Sequence, residues 1–240
     1  MQYHAIICRY GRTHSWGCFY YCIMNFDLIA KHYNWIEKII FRSDLEKVRR
    51  MNLALVKNAK SILLLGDGDG RFLEQVSLMG TDAFIVSVDS SAKMIDLAKR
   101  KLKKSSLNVE FNCTKIEDFQ PIDNFKPDLI IAHFFLDCFT HDEVKLIIDR
   151  VSGWAAANAK FVISDFLLTK NASFNRIYQK MLTKIMIRFF RLFCGISTRF
   201  LPNIPKIMTT QGWNCLSQES LKSEFINSWV WQIEGYAKRP

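Results

Sequence analysis

Residues 61–72, SILLLGDGDGRF, carry the strongest pattern in the sequence. It begins as a continuous apolar run, Ile62 to Leu65, which is typical of a strand buried on both faces of a parallel sheet. Gly66, Gly68 and Gly70 follow, where the chain can adopt positive φ and a ligand can approach the backbone closely. A helical pattern begins directly after the third glycine. A strand, a glycine turn and a helix form the nucleotide-binding corner of an α/β sheet.

The glycine turn lacks the marks of a phosphate site. Arg71 stands where the dinucleotide fingerprint has its third glycine, and no Gly-Lys-Ser/Thr ending indicates a P-loop. Asp67 and Asp69 lie within the turn, and like charges repel a pyrophosphate. The turn therefore favours a ligand that carries a positive charge and no phosphate.

The second predicted strand, AFIVSVD (83–89), ends in an acid, and the amphipathic segment SSAKMIDLAKRKL (90–102) follows it. Asp89 is placed to accept hydrogen bonds from ribose hydroxyls. A ribose without phosphates, combined with a cation, describes S-adenosylmethionine.

Three segments resemble the successive motifs of class I S-adenosylmethionine-dependent methyltransferases: LLLGDGDGRF (63–72), VDSSAKMIDLAKRKL (88–102) and PDLIIAHFFLDCF (127–139). FDLIAKHYNWIEKIIF (26–41) resembles the N-terminal helix of the small-molecule branch that includes ubiquinone- and menaquinone-type enzymes. The resemblance covers residues 24–235. It implies a Rossmann-like α/β fold with a seven-stranded sheet, mostly parallel with a C-terminal antiparallel hairpin, and helices on both faces.

Ligands of open α/β sheets bind beyond the carboxyl ends of the strands. Together with the resemblance, this rule predicts a set of cofactor-binding residues: Tyr33, Gly66, Asp67, Gly68, Gly70, Asp89, Ser90, Met94, Ile116 and His133. Two of them have a plain alternative, since Met94 and Tyr33 are also typical of core packing. The loop after the third strand departs from the family, which has an acid there for the adenine amino group. Backbone groups near Ile116 or the carboxylate of Asp118 are the substitutes.

The predicted catalytic residues are His133 and Asp137, which follow the fourth strand. A general base is needed only if the acceptor atom must lose a proton. His133 is either a ligand contact or a satisfied structural histidine, and His141 is interpreted as a helix-start residue after Thr140. The neighbouring pair Phe134-Phe135 makes an apolar wall. The sequence therefore predicts a small apolar or amphiphilic methyl acceptor.

The domain prediction is a single methyltransferase domain over 24–240. Its parts are N-terminal helices (24–58, with helices near 26–39 and 43–56), a cofactor-binding core (60–166), a helical lid (167–212) and a terminal hairpin (213–235). Thr140 and Glu143 form a predicted capping box that opens a helix. Residues 1–23 show no defensible periodicity and are expected to lie outside the fold, the alternative being a short extra helix.

Composition agrees with a globular enzyme of 240 residues with 49% hydrophobic and 23% charged residues. The seven cysteines form no metal-ligand pattern beyond Cys18-x-x-x-Cys22, so no metal is predicted. Their odd number, without a signal-peptide pattern, favours a reducing cytoplasm. No apolar stretch reaches the roughly 18 residues of a membrane span.

Three further hypotheses remain, and two of them rest on basic residues. The net charge of +10 and the run from Lys99 to Lys104 allow an RNA methyltransferase, although such a run is usually a solvated helix face. A module that binds S-adenosylmethionine without catalysis is the other alternative. Between Asp165 and Glu219 every charged residue is cationic, and residues 176–193 form a basic amphipathic helix. This helix is either a lid or a peripheral contact with an anionic membrane.

Overall fold

The computed structural model describes residues 26–30, 33–168 and 174–233. The predicted extension, residues 1–23, lies outside the described residues. The centre of the fold is a seven-stranded sheet with the order β3-β2-β1-β4-β5-β7-β6. Its strands are β1 (Ser61–Leu65), β2 (Phe84–Asp89), β3 (Asn108–Cys113), β4 (Leu129–His133), β5 (Lys160–Phe166), β6 (Trp213–Leu221) and β7 (Ile226–Ile233).

Strands β1 to β5 are parallel, and β7 pairs antiparallel with both β5 and β6. The Rossmann-like class with a C-terminal antiparallel hairpin is therefore confirmed. The chain passes from β1 outward to β3 and then returns to place β4 on the other side of β1. This reversal is the topological switch point, where open α/β sheets bind their ligands.

The helices are α1 (Tyr33–Phe41), α2 (Asp44–Arg50), α3 (Arg71–Met79), α4 (Ala92–Lys101), α5 (His141–Trp154), α6 (Phe174–Cys194) and α7 (Ile204–Thr210). The predicted capping box opens α5: the Thr140 hydroxyl accepts from the Glu143 backbone at 3.4 Å, and the Glu143 carboxylate accepts from the Thr140 backbone at 2.7 Å. Helix α7 was not predicted.

The two N-terminal helices are shorter than predicted. The first segment opens with a 3-10 turn, Phe26–Leu28, and the second ends in another, Leu53–Asn58. Between α2 and the second turn, the Asn52 side chain donates to the Ser228 hydroxyl on β7 at 2.9 Å. This tertiary contact fixes the chain against the sheet, which helical periodicity alone does not reveal.

Alternate residues of β1 pack into the two main hydrophobic clusters, one on each face of the sheet. Leu63 and Leu65 pack toward α5, α7 and the hairpin, whereas Ile62 and Leu64 pack toward α3. A third cluster joins α1, α2 and α6 over the end of β5, and its members include Phe41, Leu45, Phe134, Phe166 and Met186. This third cluster places α6 above the carboxyl edge of the sheet.

Candidate active site

The glycine turn after β1 requires glycine for two different reasons. Gly66, Gly68 and Gly70 have φ of +63°, +60° and +80°, a region that L side chains rarely adopt. A Cβ on Gly66 would lie 2.3 Å from the Phe135 ring, and one on Gly70 would lie 2.6 Å from Ala98 on α4. At Gly68 the nearest atom is the Met94 sulfur at 3.8 Å. Only Gly68 thus keeps open space beside it for a ligand.

The acids of the turn have partners within the fold. The Asp67 carboxylate accepts from the backbone N–H groups of Phe72 and Leu73, each at 3.1 Å, at the start of α3. Burial nevertheless raises the pKa of Asp67 to about 7. Asp69 pairs with Arg71 and Lys101, each at 2.8 Å. The inference that these charges select a cationic ligand is therefore not supported, because the protein itself satisfies both carboxylates.

Asp89 at the end of β2 braces the glycine turn. Its carboxylate accepts from the Gly68 backbone at 3.1 Å and from the Ser91 backbone at 2.8 Å. Burial raises the pKa of Asp89, and these two backbone donors oppose the rise. The carboxylate faces the cleft beside Gly68, which is the position for a ribose contact.

A cleft of about 820 Å³, open to solvent, lies at the switch point; we call it the cofactor cavity. Of the predicted cofactor residues it brings together Gly66, Asp67, Gly68, Asp89, Ser90, Met94, Ile116 and His133. Gly70 does not line it and instead packs against Ala98. The side chain of Tyr33 lies outside the described part of the chain. In the loop after β3 the acid that lines the cavity is Glu117, not Asp118.

His133 is buried in the wall of the cofactor cavity, with 6% of its surface exposed. Among the described residues neither of its ring nitrogens has a hydrogen-bond partner. Burial, followed by the charge of Arg49, lowers the pKa of His133 to about 3, so the imidazole is neutral. A buried polar group without a partner calls for a ligand or a water. This feature favours the interpretation of His133 as a ligand contact.

An ion cluster that the sequence analysis missed borders the same cavity. Glu37 on α1 accepts two hydrogen bonds from Arg49 (2.7 and 3.1 Å) and two from Arg71 (2.9 and 2.7 Å). Burial alone would raise the pKa of Glu37, but the two guanidinium groups outweigh it and the pKa is lowered. Arg49 and Arg71 line the cofactor cavity and are its candidates for binding a ligand carboxylate.

Phe134 separates the cofactor cavity from a second one. It follows β4 with φ of +53°, a strained conformation for a bulky residue. The second cavity, of about 500 Å³, is lined by rings from five different segments, and we call it the phenylalanine cavity; the rings are Phe26, Phe41, Phe134, Phe166 and Phe190. The two cavities share Phe26, Phe134 and Cys138 in their walls.

Asp137 lies on the phenylalanine cavity rather than on the cofactor cavity. Its backbone N–H donates to the carboxylate of Asp165 at 3.1 Å. Burial, followed by the charge of Asp137, raises the pKa of Asp165 well above its usual range. Burial also raises the pKa of Asp137. The two predicted catalytic residues, His133 and Asp137, therefore face different cavities.

The residues present fit S-adenosylmethionine. The cleft at the switch point offers a carboxylate at the ribose position (Asp89), an apolar side chain against which an adenine can pack (Ile116) and guanidinium groups for the amino-acid carboxylate (Arg49 and Arg71). The unpartnered nitrogens of His133 supply a further polar contact.

A family model and a curated protein match parts of this chain. Residues 62–158 match the family model of the methyltransferase domain. The carboxy-S-adenosyl-L-methionine synthase of Campylobacter jejuni is 25% identical over 137 residues, which cover 55% of this chain. The match spans only 57% of that synthase.

Solved structures show the same fold. The N-methyltransferase NodS of Bradyrhizobium japonicum, in complex with S-adenosyl-L-homocysteine, is 14% identical with a TM-score of 0.59, covering 85% of this chain and 92% of its own. An O-methyltransferase family protein of Burkholderia thailandensis is 14% identical with a TM-score of 0.63. The match covers 89% of this chain and 64% of that protein. This protein has the Rossmann-like fold of these methyltransferases, and its residues 62–158 match a methyltransferase domain. The ubiquinone- and menaquinone-type resemblance stays a prediction.

Proposed function

We propose that the protein transfers the methyl group of S-adenosylmethionine to a small apolar or amphiphilic acceptor that binds in the phenylalanine cavity. The observation that carries the proposal is the shared wall: Phe134 and Cys138 border both cavities. A molecule in the phenylalanine cavity is thereby held beside the cofactor. Bringing the reacting groups together in line can contribute about 7–11 kcal/mol to catalysis.

Different residues of the cofactor cavity would bind different parts of S-adenosylmethionine. Asp89 would accept from the ribose hydroxyls, Ser90 and the Gly68 backbone would line that end, and Met94 and Ile116 would pack on the adenine. Arg49 would pair with the carboxylate of the methionine part. The bound cofactor supplies an electrophilic methyl group on a sulfonium.

Asp137 and His133 would act differently. Asp137 lines the phenylalanine cavity and has a raised pKa. It therefore suits the role of a general base for an acceptor that must lose a proton. His133 is neutral and faces the cofactor cavity, so it would donate or accept one hydrogen bond there. We therefore assign proton removal to Asp137 and positioning to His133.

A transfer assay with a labelled methyl donor and a panel of lipid, quinone and RNA acceptors tests this function. Ile40 lines the phenylalanine cavity at its exposed edge, so Ile40→Trp should obstruct it. We expect kcat/KM for a small acceptor to fall about tenfold or more, with unchanged affinity for S-adenosylhomocysteine. Ile185→Trp, on the exposed face of α6, is the control and should change neither.

The alternatives give different results in the same assay. Binding of S-adenosylhomocysteine with no turnover of any acceptor would support a non-catalytic module. Turnover of RNA alone would support the RNA methyltransferase, and it would contradict the role of the phenylalanine cavity. The basic run on α4 gives RNA little support, because Lys101 pairs with Asp69 and Lys99 lies over the Phe111 ring.

A second candidate activity is peripheral binding to an anionic membrane through α6. The outward side of this helix exposes apolar residues beside cations: Ile177, Met181, Ile185 and Leu192 with Lys180, Lys184, Arg188 and Arg191. No helix in the described ranges is long and apolar enough to cross a membrane. Exposed apolar groups with adjacent cations suit the surface of an anionic bilayer, where each cation adds about 1 kcal/mol.

Vesicle sedimentation tests the membrane contact. We expect binding to vesicles that contain phosphatidylserine, weakening as salt is added, and no binding to purely zwitterionic vesicles. Combining Lys180→Glu, Lys184→Glu and Arg188→Glu should abolish it, whereas the same charge change at exposed Lys57, Lys103 and Lys104 should not. Arg176, the first cation of the predicted basic helix, is half-buried and is left intact. If the wild-type protein does not bind anionic vesicles, the membrane contact is contradicted and α6 is a lid. If the protein dimerises through α6, the exposed face of the helix is a dimer interface.

A further inference from the structure

The phenylalanine cavity contains two carboxylates with opposite surroundings. Glu37 receives four hydrogen bonds from Arg49 and Arg71, so its charge is fully compensated. Asp137 has no such partner: within the described part of the chain no lysine, arginine or histidine forms an ion pair with it. Its side-chain contact is the thiol of Cys138 at 3.5 Å. One uncompensated carboxylate therefore lies in an aromatic cavity.

The neighbouring acid strengthens the asymmetry. The Asp165 side chain is completely buried and accepts from the backbone N–H groups of Asp137 and Phe166. Its pKa is raised well above the usual range, so Asp165 keeps its proton and the negative charge of the pair stays on Asp137. A carboxylate in apolar surroundings is costly unless a ligand pairs with it.

The rings around Asp137 also attract cations. The five phenylalanines present aromatic surfaces to the cavity, and Phe134 and Phe166 lie 5.2 Å apart between ring centroids. Aromatic faces bind ammonium groups through the ring quadrupole, most strongly where water is excluded. An apolar molecule with a hydroxyl would gain one hydrogen bond to Asp137, but no such attraction.

The guanidinium group of Arg49 lies on the other side of Phe134, the residue that separates the two cavities. Arg49 stacks over Phe134 at 5.0 Å from the ring centroid, and it lines the cofactor cavity but not the phenylalanine cavity. The guanidinium therefore does not compete for the space beside Asp137. Phe134 therefore keeps the Arg49 guanidinium on the cofactor side and leaves the Asp137 carboxylate on the acceptor side.

We propose that Asp137 and the rings of the phenylalanine cavity bind a protonated amine, so that the methyl acceptor is a small apolar amine. This inference rests on the proposed function and narrows its acceptor class. Passage of one proton from the ammonium nitrogen to the Asp137 carboxylate would leave both groups neutral. It would free the nitrogen lone pair that a methyl acceptor needs.

The test compares amines with alcohols of the same shape on protein saturated with S-adenosylhomocysteine. Calorimetry would measure binding of benzylamine, 2-phenylethylamine and hexylamine against benzyl alcohol, 2-phenylethanol and hexanol. We expect at least one amine to bind about tenfold or more tightly than its alcohol. Asp137→Asn should remove this preference and leave the affinity for S-adenosylhomocysteine unchanged. Asp142→Asn, an exposed acid on α5, is the matched control and should behave as wild type.

Three results would overturn the inference: no amine binds, amines and alcohols bind equally, or Asp137→Asn keeps the preference. Loss of S-adenosylhomocysteine binding in Asp137→Asn would also overturn it, since Asp137 would then serve the cofactor. A wild-type protein that does not bind S-adenosylhomocysteine at all would instead contradict the proposed function. A melting curve for each variant separates loss of binding from loss of fold.

Discussion

The two cavities of this protein are built on different principles. The cofactor cavity lies around the glycine turn at the ends of β1, β2 and β4, and its acids Asp67 and Asp89 accept from backbone N–H groups. The phenylalanine cavity is formed by residues of the first 3-10 turn, α1, α2, α6, the segment after β4 and the end of β5. Its carboxylate, Asp137, lacks a cationic partner among the described residues.

This contrast has a consequence for mutation. The glycine turn of the cofactor cavity does not tolerate an added side chain at Gly66 or Gly70, because the turn depends on positive φ and close packing. The phenylalanine cavity should tolerate single changes in shape, but its recognition depends on Asp137, the carboxylate that has no cationic partner among the described residues. Substitutions in the first cavity should therefore affect folding and cofactor binding together, whereas those in the second should affect acceptor recognition alone.

The largest effect is expected for Gly70→Ala. The new Cβ would lie 2.6 Å from the Cα and Cβ of Ala98 at φ of +80°, so α4 would have to shift. We expect the free energy of unfolding to fall by about 3 kcal/mol or more. Gly80→Ala, at φ of +73° with no atom within 4 Å of the new Cβ, should cost only the backbone strain of about 1–2 kcal/mol. Chemical denaturation would measure both, and equal losses would contradict the packing role of Gly70.

Asp89→Ala should have the next largest effect, on cofactor affinity. Removing the carboxylate takes away the ribose acceptor and also the brace on Gly68 and Ser91. Each charge-assisted hydrogen bond lost should cost about 1.5–3 kcal/mol, or about 10- to 100-fold in the dissociation constant of S-adenosylhomocysteine. Asp96→Asn, an exposed acid on α4, serves as the control. If Asp89→Ala bound S-adenosylhomocysteine with wild-type affinity, the assignment of the ribose contact to Asp89 would be wrong.

His133 gives a smaller effect that depends on pH. Its pKa is about 3 in the folded protein against an ordinary value of 6.5, so between these values the unfolded chain binds more protons. Folding stability should therefore fall as the pH is lowered through this window, by about 2.5 kcal/mol between pH about 7 and about 4.5 from this residue. His133→Phe should remove that part of the fall.

The difference between variant and wild type is the quantity to measure in denaturation curves at several pH values. Asp67, with its pKa raised to about 7, stabilises the fold at low pH and works in the opposite direction. It acts equally in both proteins, so the difference isolates His133. Parallel pH curves for the two proteins would mean that His133 is protonated in the fold or paired.

The predictable part of the site is the part encoded by local sequence. A buried run, a glycine turn and the acid after the next run locate Gly66, Gly68 and Asp89, because parallel strands all end at one edge of the sheet. The partners of Asp67 and Asp69 were missed, since capping of α3 and pairing with Lys101 depend on how the turn folds back on the helices.

The phenylalanine cavity could not be predicted in the same way. Phe26, Phe41, Phe166 and Phe190 are far apart in the sequence and meet only after α6 packs over the end of β5. Arg49 lies on a short helix with no motif around it, and its role depends on Glu37 and Phe134. The one local signal was the Phe134-Phe135 pair, which indicated an apolar wall but not the carboxylate beside it.

A crystal structure of the complex with S-adenosylhomocysteine would show whether this ligand occupies the cofactor cavity and leaves the phenylalanine cavity free for the acceptor. We predict that the ribose hydroxyls contact Asp89, that the adenine lies beside Met94 and Ile116, and that the sulfur points toward Phe134 and the phenylalanine cavity. Binding outside the cofactor cavity, or with the sulfur directed away from Phe134, would contradict the account.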